Sequence, residues 1–151
     1  MEFVAEKDTG LIPYILTQIM DSCVNGITLA DPDLPDSPIV YANEVFCRIT
    51  GYRREEIIGR NCRFLHGDDL DQPGLHYIRE ALRAHRPVDA VLRNYRKDGT
   101  LFYNRLHIRP LFDRDGRVIY YLGVQHDVTE QIRAQEALDR LARPETSPPP
   151  V

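Results

Sequence analysis

The sequence lacks several features that mark large classes of protein. No apolar run approaches the ~20 residues that a membrane-spanning helix needs, and residues 1–8 carry no secretory pattern. The 3 cysteines are odd in number and irregularly spaced, which argues against a disulfide framework and fits a reducing compartment. We therefore expect a cytoplasmic protein that has thiol chemistry available and no membrane partner.

The charges give no sign of a polyanionic partner. Lysine and arginine number 19, aspartate and glutamate number 23, and the formal net charge of -4 arises from both signs spread along the chain. Because no long basic run is present, nucleic acid is not expected as a partner. The 151 residues, 42% of them hydrophobic, suit one domain with a single buried core and leave no room for a second.

The chain is predicted to divide into four parts. These are an extension with an amphipathic helix (1–24), a core (25–128), a C-terminal helix (129–143) and a disordered, proline-rich tail (144–151). Asp127 and Glu130 are predicted to cap the last helix. Its apolar stripe is too narrow to bury alone, so we expect it to pack on the sheet or on the same helix of a second subunit.

Hydrophobic alternation predicts an α+β fold with a five-stranded antiparallel sheet. The predicted strands are 26–30, 38–42, 88–97, 100–112 and 117–126. Asp98-Gly99 and Asp115-Gly116 are hairpin turn signals between the last three strands. Between the second and third strands the pattern favours short helices, the longest over residues 75–85, so the helices are inserted there.

Neutral amides recur where strand alternation predicts a core face. Asn104 shares its phase with Phe102 and Leu106, and Asn94 shares its phase with Leu92. On the last strand both phases are apolar, so Gln125 is placed inward only by pairing with its neighbours. An unpartnered buried amide costs about 2–7 kcal/mol, so these side chains need partners.

Those partners are one another, the backbone, buried water or a ligand. For a single asparagine the first three suffice, but for the whole set a ligand is the better explanation. Carboxamides suit the mixed donor and acceptor edge of a planar heterocycle, such as the pyrimidine side of a flavin. Leu82, Leu106 and Ile108 would supply apolar walls. Arg63 and Arg79 are interpreted either as a phosphate clamp at the rim or as ordinary surface arginines.

A run of short motifs resembles the light-oxygen-voltage (LOV) family of flavin photosensors within the PAS superfamily, and in particular the short bacterial LOV proteins. The strongest is Asn61-Cys62-Arg63-Phe64-Leu65, which closely resembles the family signature. Others follow in matching order and spacing, among them Tyr41-Ala42-Asn43, Thr50-Gly51-Tyr52, Phe102-Tyr103-Asn104 and Gly123-Val124-Gln125. The resemblance extends from about residue 26 to residue 129.

The resemblance implies a PAS fold that holds FMN noncovalently and acts as a blue-light receptor, not as an enzyme. Light excites the flavin, the thiol of Cys62 adds to ring carbon C4a, N5 becomes protonated, and the adduct breaks thermally in the dark. Asn94 and Asn104 would bind the pyrimidine edge, and Gln125 would lie beside O4 and N5 and change its hydrogen-bonding role. The implied cofactor-binding residues are Asn61, Arg63, Leu65, His66, Ile78, Arg79, Leu82, Asn94, Asn104, Leu106 and Gln125.

His66 departs from the family pattern, which usually has glutamine after the leucine. Imidazole can replace an amide donor, but it is bulkier and titrates near neutrality. Statements about adduct lifetime or pH dependence therefore do not transfer from the family to this chain.

Other interpretations of these residues stay open. Cys62 and His66 are spaced as a nucleophile and base or as two metal ligands, although no third group is evident. Asp68, Asp69 and Asp71 fit a solvated acidic turn better than a calcium loop. The main alternative function is a PAS module that binds another ligand, or only dimerises, without photochemistry.

The quaternary prediction concerns the two ends of the chain. We expect a homodimer through the terminal helices, which would also carry the output. The initiating methionine and the proline-rich end predict a stand-alone receptor that signals to another protein, which the sequence does not identify.

Overall fold

The structure, a computed structural model, describes residues 11–143. The predictions for residues 1–10 and for the tail over 144–151 lie outside the described residues. The elements in chain order are α1 (Leu11–Asp21), β1 (Gly26–Ala30), β2 (Ile39–Ala42), α2 (Glu44–Thr50), α3 (Arg54–Ile57), a 3₁₀ helix (Cys62–His66), α4 (Pro73–Arg83), β3 (Val88–Tyr95), β4 (Leu101–Phe112), β5 (Val118–Asp127) and α5 (Thr129–Ala142). In the part of the chain that is described, no helix is both long and apolar enough to cross a bilayer.

The five strands form one antiparallel sheet in the order β2-β1-β5-β4-β3. The predicted α+β fold, with its helices inserted between the second and third strands, is confirmed. Because β1 pairs with both β2 and β5, the first and last strands lie side by side inside the sheet. The two ends of the core are therefore neighbours.

Two apolar clusters fill the space between the sheet and the inserted helices. The first contains Ile39, Ala42, Phe46, Cys47, Ile57 and Leu65. The second contains Leu75, Ile78, Leu92, Leu106 and Ile108. The first joins β2 to α2, α3 and the 3₁₀ helix, and the second joins α4 to β3 and β4.

Helix α4 lies unusually close to β3. A Cβ atom on Gly74 would come within 2.7 Å of Leu92 Cδ2 and 3.2 Å of the Val91 carbonyl oxygen. The helix begins and ends two residues earlier than predicted, because Gln72 fixes its start to the sheet. The Gln72 side chain accepts from Arg93 N at 2.7 Å and donates to Arg93 O at 3.0 Å.

The buried side chain of Asn43 joins α1 to the core. Its Nδ2 donates to the carbonyl oxygens of Met20 (2.7 Å) and Asn25 (3.0 Å). Its Oδ1 accepts from the backbone N–H of Ile27 (2.8 Å) and of Phe46 (3.1 Å). One amide therefore satisfies backbone groups from the end of α1, from β1 and its approach, and from the first turn of α2.

Helix α5 starts differently from the prediction. Val128 is its N-cap and supplies no side-chain cap, so Asp127 and Glu130 do not form the predicted capping pair. Asp127 Oδ1 instead accepts from Thr129 N at 3.0 Å, as a short turn before the helix. Thr129 Oγ1 accepts from Tyr103 N at 2.9 Å, which joins the first residue of α5 to β4.

Candidate functional site

A cavity lies between the two apolar clusters, on the helix-covered face of the sheet. Its lining comes from the 3₁₀ helix and from all five strands: Thr28, Ala30, Ile39, Cys62, Leu65, His66, Leu92, Asn94, Asn104, Leu106, Ile108, Tyr121, Gly123 and Gln125. The cavity volume is about 60 Å³, so the space between these side chains is a narrow slot. It is smaller than a typical small-molecule site, and a planar ligand would have to widen it.

Three neutral amides line this slot, and each is almost completely buried. Asn104 donates from Nδ2 to Asn94 Oδ1 at 3.0 Å, and Asn94 donates from Nδ2 to Arg93 O at 3.0 Å. Gln125 donates from Nε2 to Thr28 Oγ1 at 3.1 Å. The amides thus do bond to one another and to the backbone, as one of the interpretations from sequence required.

Two oxygen atoms of these amides take no part in these hydrogen bonds. Among the described residues, Asn104 Oδ1 and Gln125 Oε1 are buried without a hydrogen-bond partner. A buried polar atom without a hydrogen-bond partner destabilises the folded state. Both atoms belong to side chains that line the same slot. A ligand edge that carries both a donor and acceptors would satisfy Asn104 Oδ1 directly and Gln125 once its amide has turned, so the residues present fit a flavin.

Cys62 opens the 3₁₀ helix beside this slot. Asn61 caps the helix by accepting from Arg63 N at 3.0 Å. The Cys62 residue as a whole is exposed, but its side chain lines the slot, and protein packed around the thiol raises its pKa. The positive charge of Arg63 lowers the pKa of the Cys62 thiol, but by less than burial raises it. The sulfur therefore carries its proton near neutral pH.

His66 ends the same 3₁₀ helix and is buried in the lining. Burial lowers the pKa of its imidazole, and the positive charges of Arg63 and Arg79 lower that pKa further. The ring is therefore neutral at physiological pH.

Five of the residues predicted for the site do not line the slot: Asn61, Arg63, Ile78, Arg79 and Leu82. Arg63 donates to both carboxylate oxygens of Asp36, each at 2.6 Å, and Asn61 Nδ2 donates to the Asp36 carbonyl at 2.8 Å. Arg79 is on the exposed side of α4. The predicted phosphate clamp is therefore not assembled here.

Ile78 and Leu82, the predicted apolar site residues on α4, lie in or against the second cluster. The Leu82 carbonyl accepts from Tyr121 Oη at 3.1 Å, and Tyr121 itself lines the slot. Sequence reasoning did not assign Tyr121, Gly123 or Thr28 to the site. For Tyr121 and Gly123 a signal existed, since both share the strand phase of Gln125. Thr28 had none, because alternation in β1 favours Ile27 and Leu29 for the buried face, whereas the structure buries Thr28.

The Asp69 carboxylate joins the segment that follows the 3₁₀ helix to β3. It accepts from Arg93 Nε (2.7 Å), Arg93 Nη2 (2.8 Å) and Tyr95 Oη (2.7 Å). These bonds, above all those from Arg93, lower the pKa of Asp69 to about 2. The interpretation of Asp69 as part of a solvated acidic turn was wrong, because this carboxylate ties the segment after His66 to β3.

Comparison with known proteins identifies the class of domain. The family model of the PAS domain matches residues 24–130. The chain belongs to the PAS domain family. Within that family it is a LOV domain, as the motif around Cys62 predicted. Its relatives include the "Blue-light-activated histidine kinase 1" of Erythrobacter litoralis (strain HTCC2594), which is 44% identical over 119 residues, 77% of this chain and 33% of the relative.

Other similar proteins agree with this assignment. The blue-light-activated histidine kinase of Brucella canis (strain ATCC 23365 / NCTC 10854 / RM-666) is 41% identical over 112 residues, 74% of this chain and 23% of the relative. An RNA-binding light-oxygen-voltage receptor superposes with a TM-score of 0.82 at 40% identity, over 94% of this LOV domain and 40% of that chain. The light-state structure of the photoreceptor Aureochrome1 LOV gives 0.69 at 36% identity, over 83% of this chain and 98% of that one. The LOV domain thus spans a third or less of these two curated relatives.

Proposed function

We propose that this LOV domain is a blue-light receptor that binds FMN in the slot beside Cys62 and reacts with it reversibly. The proposal depends on one observation above all. Two buried amide oxygens, on Asn104 and Gln125, have no partner within residues 11–143, and they line the same narrow slot as a protonated thiol. The relatives named for activation by blue light support it.

The residues present suggest how the cofactor would be held. Asn94 and Asn104 would bind the pyrimidine edge, and Leu65 and Leu106 would form apolar walls on either side. Arg63 and Arg79 would take the phosphate, for which Arg63 would have to leave Asp36. That exchange is inexpensive, because the Arg63–Asp36 pair is exposed and surface ion pairs contribute little.

A bound flavin would absorb blue light and supply a carbon, C4a, to which the Cys62 sulfur bonds while its proton passes to N5, with both changes reversing in the dark. The chain provides the sulfur in its protonated form, so the proton needed at N5 is already in the site. Gln125 would respond to that proton, because its amide can offer either a donor or an acceptor. His66, being neutral, would add no charge to the slot.

The light signal would pass from the slot to β5 and then to the terminal helices. Gln125 lies opposite Gly26 in the β1–β5 register, and the adjacent His126 contacts Asn25 Oδ1 at 3.1 Å. Asn25 is held in turn by Asn43, which also holds the end of α1. A rearrangement at Gln125 therefore has a short route of hydrogen bonds to α1.

We propose that α1 and α5 form the contact of a homodimer. The exposed apolar side chains Tyr14, Ile15, Leu16, Ile19, Leu138 and Leu141 lie on these two helices. Burial of such side chains against another apolar surface is favourable, and a second copy of the chain would supply a matching set. In this proposal the chain acts as a sensor and not as an enzyme, and it passes its signal to a separate signalling protein.

The test compares the three cysteines after blue light. The purified protein is expected to be yellow, to lose its visible absorbance under blue light and to recover in darkness. Cys62→Ala should keep the flavin and stop the bleaching, whereas the matched variants Cys23→Ala and Cys47→Ala should bleach normally. A Cys62→Ala protein that still bleaches would contradict the proposed role of this thiol. A colourless protein that takes up no FMN on refolding would favour a PAS module without photochemistry.

A further inference from the structure

Thr28 and Gln125 form a buried polar pair at the base of the slot. They belong to neighbouring strands, where Thr28 pairs with Gly123 and Gly26 pairs with Gln125. Thr28 is 7% exposed and Gln125 is 5% exposed, so water cannot readily replace either partner. Gln125 Nε2 donates to Thr28 Oγ1 at 3.1 Å.

Gly123 makes this bond possible. A Cβ atom on Gly123 would lie 2.6 Å from Thr28 Oγ1 and 2.9 Å from Gln125 Nε2. The bond therefore passes directly over the glycine. A side chain at this position would push the two polar groups apart, because both distances are far below van der Waals contact.

The Thr28 hydroxyl can bond either end of the Gln125 amide, so the pair is compatible with a reversal of that amide. A hydroxyl both donates and accepts, so Thr28 can accept from Gln125 Nε2, as seen here, or donate to Gln125 Oε1 after the amide has turned. In the first orientation Oε1 is left for a ligand atom that donates. In the second, Nε2 is left for a ligand atom that accepts. A valine or leucine at position 28 could satisfy neither orientation.

We propose that Thr28 is a positioning residue that bonds the Gln125 amide in both of its orientations, giving up Nε2 and taking Oε1 as the amide turns, and so sets how fast the dark state returns. This rests on the proposed function, in which N5 changes between acceptor and donor. In either resting orientation one end of the amide is bound to the ligand and the other to Thr28. Reversal breaks both bonds, and the hydroxyl, which donates as well as accepts, can contact either end of the amide partway through the turn in a buried site.

Removal of the hydroxyl should therefore hinder the reversal more than it affects either resting state. Thr28→Val, which keeps the shape, should recover at least about fivefold more slowly in darkness when it carries FMN. Thr28→Ser keeps the hydroxyl and should recover within about threefold of the wild type. Gly123→Ala should behave like Thr28→Val, because its methyl group separates the same two atoms.

The experiment is flash photolysis of each full-length variant with FMN bound, combined with light-minus-dark infrared spectra of the glutamine carbonyl. The inference predicts slowed recovery and an altered carbonyl band in Thr28→Val and in Gly123→Ala, with rescue by Thr28→Ser. If Thr28→Val recovers within twofold of the wild type with an unchanged band, this inference is overturned while the proposed function stands. If the wild type itself never bleaches, both are overturned.

Discussion

Asn104 donates a hydrogen bond to Asn94 across two neighbouring strands, 3.0 Å from nitrogen to oxygen, on the face that lines the slot. The bond fixes which end of each amide remains for a ligand. Asn94 Oδ1 is occupied, and Asn104 Oδ1 has no partner within the described residues. This pair therefore presents a defined acceptor, and the first prediction follows from it.

Asn104→Leu should weaken FMN binding by about tenfold or more, because the cofactor loses a partner and Asn94 loses its donor. Quenching of flavin fluorescence on titration with apoprotein measures the affinity. Tyr103→Phe, on the opposite face of β4, is the control and should bind FMN as the wild type does. Unchanged affinity in Asn104→Leu would remove this residue from the site.

His66 should make the folded state sensitive to mild acid. Its pKa is lowered from 6.5 in the fold by burial and by Arg63 and Arg79, so the unfolded chain binds the proton more readily. The contribution to stability is complete above pH 6.5 and is lost as the pH falls from 6.5 through the lower folded-state pKa. In His66→Gln this loss should be absent. Thermal unfolding of both proteins between about pH 7.5 and 5 tests this, and parallel curves would contradict it.

Asp69 should contribute stability over a more acidic range. Because Arg93 and Tyr95 lower its pKa from 3.8 to about 2, its contribution is present above pH 3.8 and disappears as the pH falls towards 2. Asp69→Asn should therefore unfold more easily than the wild type at pH 7, and the difference should shrink below pH 4. Asp68→Asn, at the exposed neighbouring position, is the matched control for loss of a carboxylate from this segment in the same urea titrations.

The end of α5 is predicted to lie in the dimer contact. Leu141 is 83% exposed and Leu138 is 59% exposed, although both are apolar. Leu141→Glu would place charges near each other in the contact and should raise the dimer dissociation constant at least about tenfold. Gln131→Glu, an exposed polar position on the same helix, is the charge-matched control. Light scattering over a concentration series gives the mass of each, and an unchanged dimer would exclude this end of α5.

Gly74→Ala should destabilise the fold, although alanine is the better helix former. The new methyl group would meet Leu92 Cδ2 at 2.7 Å and the Val91 carbonyl at 3.2 Å, and Leu92 is fully buried. We expect a loss of about 1–3 kcal/mol in the free energy of unfolding, as in other overpacked cores. Ala84→Gly, at the exposed end of α4, shows by comparison the ordinary cost of glycine near a helix end. A stabilised Gly74→Ala protein would mean that α4 can move away from β3.

Much of the sheet was predictable because its strands alternate and its turns carry Asp-Gly pairs. Alternation also placed Asn94 and Asn104 on the buried face, since their strand neighbours of the same phase are apolar. Gln125 needed the pairing of strands, because both phases of β5 are apolar. Except for Gln125, the information lay within a few residues of the position concerned.

What the sequence did not show depends on contacts between distant residues. Arg63 binds Asp36, 27 positions away, and Asp69 binds Arg93, 24 positions away. Neither pairing has a local pattern, so the sequence left Arg63 open between a phosphate ligand and a surface arginine, and Asp69 was interpreted as part of a solvated turn. Thr28 was missed for a similar reason, because its partner Gln125 is 97 positions away and becomes its neighbour only when β1 pairs with β5.

The four hydrogen bonds of Asn43 have a practical consequence for fusion proteins. Since this amide holds the Met20 carbonyl, and Asp21 Oδ1 accepts from Glu44 N at 3.0 Å, the last turn of α1 is fastened to the core from two sides. A foreign domain fused ahead of α1 would be connected rigidly to the core. A linker that replaced residues 20 and 21 would remove this rigid connection. The permissible splice points for an engineered light switch therefore lie upstream of Met20.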